Sequence, residues 1–197
     1  CGYNARVFTT RPPLAPDRLP ALRGIGARGV ARVHQRMSLI SQLLPLSNVV
    51  VDLDASSKKR VFEQAGLLFE NNQGIARSTV FDSLFTRERL GSTGLGQGIA
   101  IPHGRIKGLK DAAGAFLRLA APVQFDAPDG RPVSMLFVLL VPEQANETHL
   151  QLLSELAQMF SDREFREALQ NAADAASIHR MFLTWGADAT DQRSAAV

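Results

Sequence analysis

The sequence contains little cysteine, few polar aromatic residues and no long apolar run. Its single cysteine, Cys1, cannot form an intramolecular disulfide, which excludes a small disulfide-stapled domain. The longest apolar run, residues 135–141, ends at Pro142 and is far shorter than the roughly 20 residues that a membrane-spanning helix requires. We therefore expect no membrane insertion. The 197 residues are 45% hydrophobic and 21% charged, which is ordinary for a globular chain and excludes collagen-like and wholly disordered classes.

Positive charge is concentrated at the start of the chain. Residues 1–36 contain seven arginines and one acidic residue, whereas residues 37–197 contain 15 basic and 18 acidic residues. Because the body is mildly acidic, the net charge of +3 does not support a nucleic-acid-binding surface. Residues 1–36 lack a periodic apolar pattern, so we expect a flexible basic extension. A targeting peptide and a lipidated Cys1 are alternatives, but we favour a non-native or mis-started extension, since Met37 resembles a natural start.

The body predicts alternating helices and strands. The helices are predicted over residues 38–44, 58–71, 79–90, 147–160, 163–171 and 175–185, and the strands over 48–53, 99–101, 113–119 and 133–141. The predicted N-caps are Ser57, Ser78, Asn146 and Asp162, and the predicted helix ends are Gly74 and Gly186. The strand at 133–141 is nearly all apolar and so is expected to be central. We predict a single α/β domain over residues 37–187, with a mixed β-sheet flanked by helices on both faces, and a polar tail at 188–197.

A glycine-rich segment precedes the strand predicted over residues 99–101. Residues 91–98 contain four glycines, but no Gly-Lys pair follows them, so they do not form a nucleotide-binding P-loop. The dinucleotide fingerprint also fails, because the third glycine is misplaced and the segment leads into a strand rather than a helix. The chain has no His-x-x-x-His pair and no Gly-x-Ser-x-Gly elbow. We expect no metal and no cofactor.

His103 is the leading candidate for chemistry. It follows a short apolar strand and Pro102, and Gly104 removes side-chain bulk beside the ring. This pattern predicts a histidine at the end of a strand with open space around it, where ligands collect in α/β folds. A neutral imidazole can act as a nucleophile through a ring nitrogen. The alternative is a surface or capping histidine, which the flanking residues disfavour.

Two further side chains could meet negative charge. His149 is predicted in the first turn of a helix, where unpaired N–H groups favour an anion and disfavour an imidazolium ion. Arg87 precedes the glycine-rich segment and could donate several hydrogen bonds to phosphate oxygens. An exposed first-turn histidine and a solvated arginine at a helix end are the alternatives, and spacing alone leaves them open. His179 is interpreted as a packing or surface residue.

The segment from Arg87 to Gly104 reads RERLGSTGLGQGIAIPHG. It resembles the active-site signature of the fructose/mannitol-type enzyme IIA family of the bacterial phosphotransferase system, and it is most similar to the nitrogen-regulatory branch. The resemblance covers residues 37–185 and leaves residues 1–36 outside it. It implies a mixed sheet flanked by helices, in agreement with the fold class inferred above.

The resemblance also implies roles for particular residues. In the family, a phosphorylated histidine of a small phosphocarrier protein donates its phosphoryl group to the motif histidine, here His103. Arg87 matches the arginine that contacts this group, and His149 matches the second active-site histidine. The predicted phosphoryl-binding glycines are Gly94, Gly96, Gly98 and Gly104. The apolar residues expected to shield the site from water are Leu95 and Ile101.

We expect a cytoplasmic phosphotransfer and regulatory protein whose phosphorylation state changes its binding to target proteins, such as ion-transport or sensor proteins. A sugar-specific IIA component that passes phosphate to a IIB protein is an alternative within the family. A binding module with a structural histidine and a nucleotide-dependent enzyme are alternatives from other classes. Uptake of a phosphoryl group separates the first two from the last two, because only a IIA component accepts it from the carrier.

Overall fold

The computed structural model describes residues 38–144 and 147–185, in which the chain forms six α-helices and six β-strands. The helices are α1 (Leu39–Leu43), α2 (Lys58–Gln73), α3 (Arg77–Glu88), α4 (Glu147–Ser161), α5 (Arg163–Asn171) and α6 (Ala175–Thr184). The strands are β1 (Val49–Leu53), β2 (Gly94–Gly96), β3 (Ile99–Ala100), β4 (His103–Ile106), β5 (Ala113–Val123) and β6 (Val133–Pro142). The predicted extension 1–36, the predicted tail 188–197, and the predicted roles of Asn146 and Gly186 lie outside the described residues. None of the described helices is long and apolar enough to cross a membrane.

The six strands form one mixed sheet in which β6 is central. On one side β6 pairs antiparallel with β5, and β1 continues the sheet parallel to β5. On the other side β6 pairs in parallel with β3 and β4, and β2 pairs antiparallel with β3. The apolar run at residues 133–141 is therefore the central strand, as its composition predicts.

Two apolar cores lie on the two faces of this sheet. Because successive side chains of a strand point to opposite faces, β6 contributes to both. Its residues in the first core are Met135, Phe137, Leu139 and Val141, and those in the second are Val133, Leu136, Val138 and Leu140. Helices α1, α4, α5 and α6 cover the first core, and α2 and α3 cover the second. Helices on both faces of a mixed sheet confirm the predicted fold class.

Local capping signals explain where two of the helices begin. The Ser57 hydroxyl accepts a hydrogen bond from the Arg60 N–H at 3.3 Å at the start of α2, and the Asp162 carboxylate accepts from Glu164 and Phe165 at the start of α5. Gly74 ends α2 in the left-handed region, with φ of 68°. These three predictions are confirmed, although α2 runs two residues beyond its predicted end.

The start of α3 differs from the prediction. The helix begins at Arg77, so Ser78 lies inside it, and the residue at the cap position is Ala76, which has no capping side chain. The Arg77 N–H instead donates a hydrogen bond to the Glu70 carboxylate of α2, at 3.2 Å. A cap supplied by another helix leaves no sign in the local sequence. Of the apolar residues of α3, only Val80 and Leu84 are fully buried, and Phe85 is 39% exposed.

Strand β4 was not expected after Pro102. β3 and β4 continue along β6 in one register, from Ile99 opposite Met135 to Ile106 opposite Pro142. Pro102 interrupts the strand because it has no N–H to donate, although its carbonyl oxygen still accepts from the Leu139 N–H at 2.9 Å. The prediction that His103 ends a strand is therefore wrong, since this residue begins β4.

We expect Phe182→Ala to destabilise the first core strongly. The Phe182 ring is fully buried, and its centroid lies 5.3 to 6.3 Å from those of four other phenylalanines. Loss of the ring and the cavity left behind should lower the free energy of unfolding by about 3–5 kcal/mol. The adjacent Leu183 is 45% exposed, so Leu183→Ala should cost no more than about 0.5 kcal/mol. Urea unfolding curves of the two variants would test the contrast, and similar losses would contradict it.

Candidate active site

The His103 ring is held by hydrogen bonds to both of its nitrogens. Nδ1 lies 2.9 Å from the carbonyl oxygen of Ile101. Because a carbonyl can only accept, Nδ1 carries the ring proton and Nε2 is unprotonated and can accept a hydrogen bond. Nε of Arg87 donates to that Nε2 atom at 3.0 Å. The geometry therefore defines one tautomer, in which Nε2 is the unprotonated nitrogen.

Arg87 lies in the last turn of α3. Besides its bond to His103, it donates from an NH1 group to the carbonyl oxygen of Gly91 at 3.0 Å. Two bonds from different edges of a planar guanidinium fix its orientation. The cation is thus held beside Nε2 of His103.

His149 is in the first turn of α4, as predicted, and is 9% exposed. Its ring centroid lies 5.3 Å from that of His103, with the two rings inclined at 64°. Its Nε2 atom is buried and has no hydrogen-bond partner among the described residues. A buried polar atom without a partner is costly, so Nε2 is suited to bind a ligand atom.

The three side chains line one open cavity of about 620 Å³. The residues that line it are Asp82, Ser83, Thr86, Arg87, Leu90, His103, Gly104, Arg105 and His149. In the two described ranges, no group of three His, Cys, Asp or Glu side chains is placed to hold a metal ion. The sequence prediction thus named three side chains that the fold brings together, from α3, β4 and α4.

The pKa values of both imidazoles lie below the ordinary value for histidine. Burial lowers the pKa of His103, and the nearby charge of Arg87 lowers it further, while the Ile101 carbonyl opposes the shift. Burial also lowers the pKa of His149, and the charges of His103, Arg105 and Arg87 act in the same direction. Both rings are neutral at pH 7, which leaves the Nε2 lone pair of His103 available.

These pKa shifts predict a loss of stability in mild acid. A histidine of the unfolded chain binds a proton near pH 6.5, whereas His103 and His149 bind theirs only at lower pH in the folded protein. The unfolded state then holds more protons in this window, so stability rises with pH and the contribution is complete above about pH 6.5. Urea unfolding between about pH 8 and pH 5 measures this effect, and the decline should be smaller in His103→Gln. A free energy of unfolding that increased on acidification through this window would contradict the assignment.

The predicted glycines do not share one location. Gly104 lines the cavity, and a Cβ atom there would collide with Ser83, so this glycine allows α3 to approach β4 closely. Gly94, Gly96 and Gly98 lie on the β2–β3 hairpin and do not line the cavity. A Cβ atom at Gly94 would lie 2.8 Å from the Cβ of Ala127, and Gly96 and Gly98 have φ values of 88° and 79°. Close packing and turn geometry account for these three glycines, and phosphoryl binding by the set stays a prediction.

The two predicted shielding residues also lie apart. Ile101 is buried beneath the site, whereas Leu95 is 48% exposed on β2 and does not line the cavity. Leu90, which is 82% exposed, lines the cavity instead. Shielding by Leu95 and Ile101 stays a prediction. His179 is a packing residue as expected, since its Nε2 lies 2.9 Å from the carbonyl oxygen of Leu44.

Sequence reasoning missed a buried charged group next to the site. The Glu88 side chain is 6% exposed and pairs with Nζ of Lys58 at 2.8 Å. Burial by itself would lower the pKa of Lys58, but hydrogen bonds to Glu88 and Asp126 raise it above the ordinary value. Lys58 and Glu88 are 30 positions apart in the sequence, so no local pattern could have revealed this pairing.

Comparison with known proteins identifies the family to which this site belongs. The model of the EIIA 2 family of the phosphoenolpyruvate-dependent sugar phosphotransferase system matches residues 42–184. The chain belongs to this family. A nitrogen regulatory protein of Pseudomonas aeruginosa is 44% identical to the EIIA 2 chain described here over 146 residues, which cover 74% of this chain and 95% of that protein.

The crystal structure of the nitrogen regulatory protein IIA-Ntr from Neisseria meningitidis is also similar to this EIIA 2 chain. It is 54% identical with a TM-score of 0.70, over 74% of this chain and 99% of that one. A fructose-specific EIIA component of Haloferax volcanii is 32% identical over 140 residues, which cover 71% of this chain and 91% of that protein. The family resemblance of the sequence is therefore confirmed. The chain is a IIA component of the phosphotransferase system, with nitrogen regulatory proteins among its relatives.

Proposed function

We propose that the protein accepts a phosphoryl group on Nε2 of His103 from a histidine phosphocarrier protein, and that phosphorylation changes which target proteins it binds. The observation that carries this proposal is the hydrogen bond of Nδ1 to the Ile101 carbonyl. It leaves the Nε2 lone pair at a cavity that Arg87 and His149 also line. A nucleophile beside a fixed cation is what transfer of an anionic group requires.

The transfer exchanges one P–N bond for another. The lone pair of Nε2 attacks the phosphorus of the carrier's phosphohistidine, a P–Nε2 bond forms, and the electron pair of the broken P–N bond returns to the carrier's ring. Nδ1 keeps its proton in the bond to Ile101, so the phosphorylated ring carries a positive charge next to the phosphoryl oxygens. Charges of opposite sign then lie side by side in a partly buried site.

The chain's own groups can stabilise the transition state of this step. A metaphosphate-like transition state spreads negative charge over three oxygens. In the unphosphorylated protein Arg87 donates to the Nε2 lone pair, so the guanidinium must exchange this hydrogen bond for bonds to the phosphoryl oxygens as Nε2 attacks. His149 can also contact these oxygens, because its buried Nε2 atom has no hydrogen-bond partner in the described part of the chain. Its ring centroid lies 5.3 Å from that of His103.

A regulatory role is favoured over sugar uptake by the relatives. The two nitrogen regulatory proteins described above are 44% and 54% identical to this chain, against 32% for the fructose-specific component. We further propose that the phosphotransfer unit spans residues 37–187, since the family model matches residues 42–184. Phosphoenolpyruvate is a cytoplasmic metabolite, so we expect the protein to act in the cytoplasm. Ion-transport or sensor proteins are the expected class of regulated target.

Intact mass measurement with site mapping tests the proposal. The protein is incubated with phosphoenolpyruvate, the first enzyme of the phosphotransferase system and the phosphocarrier, and should gain one phosphoryl group, located on His103. A second incubation adds a fructose-type IIB protein. Rapid transfer of the label to IIB would favour the sugar-specific alternative, and a protein that gains no label from the carrier would refute the proposed function.

A further inference from the structure

The Glu88 carboxylate anchors the segment that follows α3. One of its oxygens, Oε2, accepts hydrogen bonds from both the N–H and the hydroxyl of Thr93, at 3.1 and 2.6 Å. The other, Oε1, accepts from Nζ of Lys58 at 2.8 Å. Both oxygens of this buried group are therefore occupied. A buried carboxylate is costly unless it is paired in this way, so its hydrogen bonds are strong and directional.

Two hydrogen bonds connect Thr93 to the His103 ring. The carbonyl oxygen of Thr93 accepts from the Ile101 N–H at 3.0 Å. The carbonyl oxygen of Ile101 in turn holds Nδ1 of His103 at 2.9 Å. Thr93 thus positions the Ile101 peptide, whose carbonyl selects the His103 tautomer. Glu88 in turn positions Thr93.

The other nitrogen of the ring depends on the same segment. Arg87, the residue before Glu88, donates to Nε2 of His103 and to the Gly91 carbonyl oxygen. The Gly91 N–H donates to the backbone oxygen of Glu88 at 3.1 Å. Residues 88–93 therefore position the groups that bond to both nitrogens of the His103 ring: the Ile101 carbonyl on Nδ1 and the Arg87 guanidinium on Nε2.

Stability alone gives little reason for a buried ion pair at this place. Replacing such a pair with apolar residues of similar volume is often neutral or stabilising. Lys58 also has other partners, because its Nζ lies 2.9 Å from Asp126 and 5.1 Å from the centroid of the Phe125 ring. A carboxylate with two bonds to one threonine is better explained by the need to hold that threonine.

We propose that Glu88 is a positioning residue, which fixes Thr93 and Ile101 so that the His103 ring keeps its proton on Nδ1 and presents Nε2 to the phosphoryl donor. The expected effect on the rate of phosphoryl uptake rests on the proposed function, whereas the expected effect on the His103 tautomer does not. Glu88 does not act on the phosphoryl group itself, since its oxygens are bonded to Thr93 and Lys58 and it does not line the cavity.

The test combines phosphoryl uptake with nitrogen NMR of the unphosphorylated protein. In Glu88→Gln, an amide cannot accept from both Thr93 and Lys58, because its NH2 group faces an ammonium ion. The His103 ring nitrogens should then show a mixture of tautomers. The rate of uptake from the phosphocarrier should fall roughly 10- to 100-fold, as is typical when a reacting group is displaced slightly.

A second substitution distinguishes positioning from general stabilisation. In Lys58→Met/Glu88→Gln the clash with the ammonium ion is removed, so the amide oxygen can again accept from Thr93. We expect this double variant to recover the wild-type tautomer and most of the lost rate. Glu167→Gln is the matched control, because Glu167 pairs with Arg163 on the surface, and it should keep the wild-type rate and tautomer.

Thr93→Val keeps the test decisive if Glu88→Gln does not fold. This variant preserves the ion pair of Lys58 and Glu88 and removes only the hydrogen bond of the Thr93 hydroxyl to Glu88. It should therefore show a smaller change in the His103 tautomer and a smaller loss of uptake rate than Glu88→Gln. Wild-type nitrogen shifts and a wild-type rate in a folded Glu88→Gln or Thr93→Val protein would overturn the proposal. If the tautomer changes but even the wild-type protein takes up no phosphoryl group, the positioning role stands and the proposed function fails.

Discussion

His103→Ala should take up no phosphoryl group from the phosphocarrier protein. Among the described residues, the substitution removes the only unprotonated ring nitrogen that accepts a hydrogen bond from Arg87 and belongs to a residue lining the open cavity. Radiolabel from phosphoenolpyruvate, followed through the carrier, measures the loss. Because His103 is only partly buried, the variant should remain folded, and circular dichroism would verify this.

The other two histidines in the described ranges provide the controls. His149→Ala should still be labelled, but more slowly, because it removes a group beside the nucleophile and not the nucleophile. His179→Ala should be labelled at the wild-type rate, since that ring contacts Leu44 rather than the cavity. Label retained by His103→Ala, or lost completely in His149→Ala, would mean that the acceptor has been misassigned.

Arg87→Met should reduce the rate of phosphoryl uptake by roughly 100- to 1,000-fold. Loss of one preorganised donor at the site of developing charge has an effect of this size in other enzymes. Arg87→Lys should lose less, because it keeps the charge but not the planar arrangement of donors. Single-turnover uptake from the phosphorylated carrier measures both rates.

Arg89 is the matched control for this substitution. It is two residues away, is exposed and does not line the cavity. Arg89→Met removes the same positive charge from the neighbourhood of the site, and it should change the rate of uptake little. An equal loss in the two variants would indicate that the net charge of the surface attracts the carrier. A rate for Arg87→Met within a few fold of wild type would show that the guanidinium does not meet the transition state.

Much of the fold follows from patterns that are local in the sequence. The continuous apolar run of β6 predicts a central strand, and Ser57 and Asp162 cap helices that begin immediately after them. The three side chains gathered at the cavity were also predicted, because the motif around His103 is specific. For the strand and the two caps the information lies within a few residues of the feature, whereas the grouping of Arg87 and His149 with His103 came from the family resemblance.

The missed features depend on residues that are distant in the sequence. The Glu70 carboxylate caps α3 from another helix, and β4 exists because β6 offers it a parallel partner beyond Pro102. The Lys58 and Glu88 pair joins two helices across a loop. Phosphoryl binding by the hairpin glycines stays a prediction, because a turn with positive φ and a phosphate-binding loop select the same residue, and composition alone does not distinguish them.

The single register that β3 and β4 keep along β6 has a consequence for signalling. His103 follows directly after the break at Pro102, with paired backbone on both sides, against a strand that is buried between two cores. Such a backbone has little freedom to shift when one imidazole is modified. A partner that distinguishes the two states would therefore have to recognise the phosphoryl group and its charge directly, at a position that does not move.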